Sequence, residues 1–113
     1  MIEKIILDLL SAELDVSVYL EEPKELPEEY VLIDKLGSAE NDLITSATIA
    51  VQSYSASLYG AAELNSKVKK AMAESVSQGD ICRCVCTSDY NYTDTETKRY
   101  RYQAVFDITY YEE

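Results

Sequence analysis

Three cysteines within five residues, Cys82-Arg-Cys84-Val-Cys86, have the spacing in this chain that comes closest to a reactive or metal-binding site. Thiolates bind zinc and form disulfides, so the pattern needs an account. Strand alternation supplies one. Residues i, i+2 and i+4 of a strand project from one face, and neighbours at that spacing do not suit a relaxed disulfide. An odd count leaves one thiol unpaired. A structural zinc site takes four ligands, and the 113 residues include no histidine. The reading is three small, apolar, core-facing thiols, reduced, with no metal and no cofactor, in a reducing cytoplasm.

Other chemistry fails on the same inventory. Without histidine the commonest general base is missing. The glycines stand alone at 37, 60 and 79, so no phosphate-cradling loop exists. Two carboxylates can meet to make a glycosidase-like pair, but Asp34, Asp89 and Asp107 are as well explained by polar strand faces or a turn. No enzymatic activity is expected. The run Lys98-Arg99-Tyr100-Arg101-Tyr102 mixes cations and rings as a single-stranded nucleic-acid platform does. In a strand, however, the arginines share one face and the tyrosines the other, which predicts cross-strand pairing of the arginines with acids.

Charge argues the same way. The net charge is −11, and residues 1–42 hold twelve acidic against three basic side chains. Such a surface repels phosphate, so no sequence-specific nucleic-acid binding is expected. No membrane partner is expected either. The apolar run Ile5-Ile6-Leu7 is interrupted by Asp8 and is too short for a signal peptide or a span.

The elements that position these residues are written in two periods. Ile2, Ile5, Ile6, Leu9 and Leu10 form a helical stripe over residues 2–14. A short strand follows at 16–20. The acidic stretch 21–29 carries both prolines and reads as a surface loop. Residues 30–36 are a strand and 37–42 a polar connector. Ala47, Ile49 and Val51 then alternate with Thr48, Ala50 and Gln52. At Tyr54-Ser55 the period changes. Ala61, Leu64, Val68, Ala71 and Met72 recur at helical spacing over about 57–76, with Ser55 or Ser57 as N-cap and Gly79 in the closing turn. Residues 81–87 are a strand, 88–98 a polar turn-rich segment, and 99–111 a long strand.

The order α-β-β-β-α-β-β, in one domain of residues 1–113, predicts an α+β fold. It is a two-layer sandwich with a mainly antiparallel sheet and both helices on one face. The other face would carry Ser46, Thr48, Gln52, Tyr54, Gln103 and Thr109, mixed enough to stay soluble and still pack on a neighbour. Ten tyrosines against one phenylalanine and no tryptophan also suit faces and interfaces better than a dry core. The expected interface residues are Thr48, Gln52 and Tyr54 on that face, Glu40, Asn41 and Asp42 in the first loop, and Tyr90, Asn91 and Tyr92 in the second. Tyr90 and Tyr92 are the anchors.

Several passages resemble the tail-terminator (tail-completion) proteins of long-tailed bacteriophages and prophages. They are the N-terminal amphipathic helix with a short strand and acidic Pro-Glu segment, the strand Tyr30-Val-Leu-Ile-Asp34, and the passage Ile49-Ala-Val-Gln-Ser-Tyr54 leading to Ala61-Ala-Glu-Leu64 and Val68. The terminal strand Tyr102-Gln-Ala-Val-Phe-Asp-Ile108 completes the likeness, which spans most of the chain. The Cys82-Arg-Cys84-Val-Cys86 strand and the tyrosine load depart from that pattern. The resemblance implies a structural protein, a hexameric ring that caps the tail tube and joins it to the DNA-filled head. Its partners would be other copies of itself, the tail tube protein and a head-side connector protein. It would reside in the host bacterial cytoplasm during assembly, then in the virion neck. Loop ordering would oppose ring formation by the isolated protein until a partner ring templates it. A head-completion or connector protein of the neck, and an acidic inhibitor that mimics DNA, are the alternatives. Regularly spaced acids on one exposed face would favour the mimic, and a neutral, Tyr-rich side edge would favour the ring.

Overall fold

In the computed structural model, which describes residues 1–41, 44–77, 80–97 and 99–111, each period of the sequence becomes the element it implies. Helix α1 spans Ile2–Glu13 and buries Ile2, Ile6 and Leu10. Strand β1 (Ser17–Tyr19) is short, and β2 (Tyr30–Asn41) and β3 (Ile44–Ser55) form a long antiparallel pair. Helix α2 (Leu58–Ala73) runs on into a 3-10 turn at Glu74–Ser77, and β4 (Ile81–Asn91) and β5 (Tyr100–Tyr111) complete the chain. Ser57 is the N-cap of α2, accepting the Gly60 amide at 3.0 Å. A Cβ at Gly60 would collide with the Ser55 hydroxyl, which is why the first turn of α2 lies so close to the end of β3. The expected closing turn at Gly79 lies outside the described residues.

The class is the expected one, an α+β fold with a mostly antiparallel sheet. The five strands lie in the order β1-β2-β3-β5-β4, and only the β1·β2 pair is parallel. Both helices cover one face. Their stripes meet Val31 and Ile33 of β2, Ala47, Ile49 and Val51 of β3, and Ala104, Phe106 and Ile108 of β5. Every one of these sheet residues is at most 3% exposed, so this layer is dry.

Three expectations need correction. Residues 37–41 are not a connector, because β2 continues through Asn41 in register with Ile44–Thr48 after a bulge between Lys35 and Gly37. Residues 88–91 are likewise strand, paired with Val105 through Tyr102. Both segments are polar and were invisible to alternation, and the ladder bonds of a neighbouring strand hold them extended. The third concerns the cysteines. The register shift between Ile81 and Arg83 takes Cys82 out of the alternation, whereas Cys84 and Cys86, opposite Ile108 and Phe106, still share the helix-side face. Only Cys84 packs against the core; Cys82 and Cys86 are exposed, and the Cys86 thiol donates to the Ser88 carbonyl at 3.3 Å. Burial, the largest influence, pushes the Cys84 thiol up from its ordinary pKa.

Candidate interaction surface

The face of the sheet that carries no helix divides into two ends with different chemistry. At the end where β2 begins and β3 finishes, tyrosine and arginine side chains are layered. Tyr30 stacks on its cross-strand partner Tyr54, with centroids 4.4 Å apart and planes within 7°, and Tyr19 meets Tyr30 edge-on at 5.9 Å. Arg99 and Arg101 lie over the Tyr54 ring at 4.8 and 5.7 Å, and Arg101 also covers Tyr92 at 4.3 Å. The Tyr92 ring then meets Tyr90 edge-on at 5.7 Å.

Hydrogen bonds lock the layers. Arg101 donates to the Tyr54 hydroxyl (2.8 Å) and to the Tyr92 carbonyl (2.6 Å). The Tyr54 hydroxyl donates to Gln52 (3.1 Å), the Gln52 amide to Gln103 (2.8 Å), and Gln103 to the Tyr90 hydroxyl. Arg99 donates to the Tyr30 hydroxyl and pairs with Glu22 of the acidic loop at 2.8 Å. Burial raises the Tyr30 phenol above its ordinary value, with the Arg99 charge opposing. Arg101 therefore makes no salt bridge among the described residues; it lies on rings, with the Asp94 carboxylate within reach of its charge. A guanidinium is planar and weakly hydrated, so it stacks on rings where an ammonium would stay in water.

The other end of this face is flat and built of small groups. Ser46, Thr48, Ala50, Val105, Asp107 and Thr109 lie side by side across β3 and β5, and Thr48 donates to Asp107 at 3.1 Å. Leu36, Ile44, Val85 and Tyr111 are exposed around it. On the helix side, the far end of β4 is clamped to α2. Asp89 accepts from the buried Asn65 at 2.6 Å and from Lys69, whose ammonium that bond raises above the ordinary lysine range.

The expected interface residues fall into three groups. Gln52, Tyr54, Tyr90 and Tyr92 are brought together by Gln103 and Arg101, but Tyr54 is 5% exposed and serves the sheet itself. Its role as a docking residue is corrected: the Tyr30 ring and the two guanidinium groups already occupy its surfaces. Tyr90 and Tyr92 remain 40% and 44% exposed. Asn91 is spent locally, its side-chain oxygen accepting from the Thr93 amide and hydroxyl. Thr48 stands apart on the flat end. Glu40 is exposed but belongs to a strand, in register with Thr45 and so on the helix side of the sheet. Asn41 ends the same strand, opposite Ile44, and Asp42 lies outside the described residues. Tyr30, Arg99 and Arg101 are the partners that sequence reasoning missed as a group. Strand parity put Arg99 and Arg101 on one face, yet no local pattern says which tyrosines that face meets.

No family model matches the chain, and no curated protein matches it either.

Proposed function

We propose that this chain is a ring-forming structural component of a phage tail, closing the tail tube and joining it to the head. The observation that carries the reading is the β4 side of the sheet. It is an edge of low charge, with Asp89 already paired to Lys69, Arg83 the one further charge on β4, and the exposed Tyr90 on it. That is the kind of surface a neighbouring subunit covers. A bare sheet face beside it and the resemblance of most of the chain to tail terminators support the same reading. Acidic residues are concentrated instead around α1, β1 and the loop of residues 20–29. Placed toward a lumen, they would keep DNA sliding by like-charge repulsion.

The experiment is to polymerise tail tube protein with and without the purified chain and image the products by negative stain. Tubes of defined length with a closed terminal ring, able to bind a head-side connector, are the expected result. Binding to the connector alone, with tube length uncontrolled, would move the assignment to a head-completion protein. Binding to neither ends the neck reading.

A further inference from the structure

We infer that two free strand edges of this chain, Gly37-Ser38-Ala39 on β2 and Arg83-Cys84-Val85 on β4, pair with each other between successive copies to make one continuous sheet. The inference rests on the ring-forming reading above and gives it an interface.

The argument begins with register. Ala39 lies in one cross-sheet row with Ser46, Thr109 and Arg83. The next row runs Ser38, Ala47, Ile108, Cys84, and the third Gly37, Thr48, Asp107, Val85. The two stretches therefore occupy the same three rows at opposite edges of the sheet. Strand β1 caps β2 only at Tyr30–Leu32, at the far end, so it does not obstruct these rows.

Direction agrees with register. From β2 through β3 and β5 to β4 every pairing is antiparallel, so β2 and β4 run in opposite senses. A rotation about an axis along the strands leaves each strand's sense unchanged. It brings β4 of one copy against β2 of the next as an antiparallel pair, with no slip along the axis. Because the joined surfaces differ, the contact is heterologous and closes as a ring or continues as a filament.

The β2 edge is otherwise unprotected, and the β4 edge carries a single charge, Arg83. Natural sheets blunt free edges with proline, with charge, or with a covering element. Gly37, Ser38 and Ala39 are all exposed and carry none of these, and Val85 is 37% exposed opposite them in register. The bulges that do occur, after Lys35 on β2 and on either side of Arg83–Cys86 on β4, border the rows rather than interrupt them. They limit pairing to one short register. A three-row ladder is weak by itself, so stability comes from repeating it around a closed ring.

The test is Ser38→Cys in the full chain, mixed with tail tube protein to template the ring and oxidised with copper-phenanthroline. Directly opposed residues of an antiparallel pair lie within disulfide reach. The expected product is a ladder of covalent oligomers linked between position 38 and Cys84 of the next copy, lost when Cys84→Ser is added. Linkage through Cys82 or Cys86 instead, or no ladder, overturns the inference. Ser38→Lys provides a second arm, because position 38 is exposed; an unchanged circular-dichroism spectrum should show that the fold is intact. With tail tube protein present this substitution should lower the fraction of chain in rings, counted by negative stain, and assembly equal to wild type also overturns the inference. Tube capping without the 38–84 link sinks this interface and leaves the ring reading standing; the link without capping does the reverse.

Discussion

The two faces of the sheet use the same strands and are held by different physics. On the helix side, Ile49, Val51, Phe106 and Ile108 lose their water to two amphipathic helices, and the energy scales with apolar area. On the bare side no helix excludes water, and the layered side chains themselves bury Tyr30 and Tyr54. Order there comes from tyrosine stacking, guanidinium groups lying on rings, and a hydrogen-bond chain from Arg101 through Tyr54, Gln52 and Gln103 to Tyr90. The first arrangement is non-directional and tolerates exchange of similar shapes. The second is directional and is confined to one end, leaving the flat end of Thr48 and Asp107 free for contact.

The contrast breaks first at Phe106. Phe106→Ala removes a ring 2% exposed from the dry layer and should cost about 4 kcal/mol, read from the urea midpoint. Tyr54→Ala, on the opposite face, should cost about 3 kcal/mol through the lost stack on Tyr30 and the stranded Arg99 and Arg101. Tyr54→Phe sharpens the point. It keeps the rings together, loses the bonds to Gln52 and Arg101, and should cost about 1 kcal/mol. Equal losses for the two Tyr54 variants would mean the hydroxyl, not the stack, organises that end.

Two chemical probes give smaller effects. Because burial raises the Tyr30 phenol in the folded state, the unfolded chain ionises first as pH climbs past about 10. The contribution of Tyr30 is complete below that value and is lost as pH rises toward the folded pKa. Tyr30→Phe should therefore flatten the alkaline limb of a stability–pH curve. Alkylation followed by mass spectrometry should modify Cys82 and Cys86 well before Cys84, whose thiol is packed and harder to ionise. Equal rates would mean that the core does not shelter Cys84. The least effect belongs to Thr48→Ala, within about 0.5 kcal/mol, because Thr48 contacts Asp107 at the surface and supports no layer.

Strand parity and helical stripes were legible without coordinates. Ala47, Ile49 and Val51 announce one buried face, Ala61 through Met72 announce the helix that covers it, and Ser46, Thr48, Gln52, Tyr54, Gln103 and Thr109 do share the bare face. These are local patterns of period 2 and 3.6, and burial enforces them residue by residue. Tertiary structure alone decided the rest. Residues 37–41 and 88–91 are polar and become strand only because Ile44–Thr48 and residues 102–105 supply their ladder partners. A bulge on β4 took Cys82 out of the alternation with no visible change in residue pattern, and Cys86 faces the same way as Cys84 yet lies exposed on the edge strand. Arg101 lies on tyrosine rings because β3 and β5, some fifty residues apart in the chain, place Tyr54 opposite it. Sequence by itself determined which faces of each element are apolar; which elements meet, and in what register, is a property of the whole packed chain.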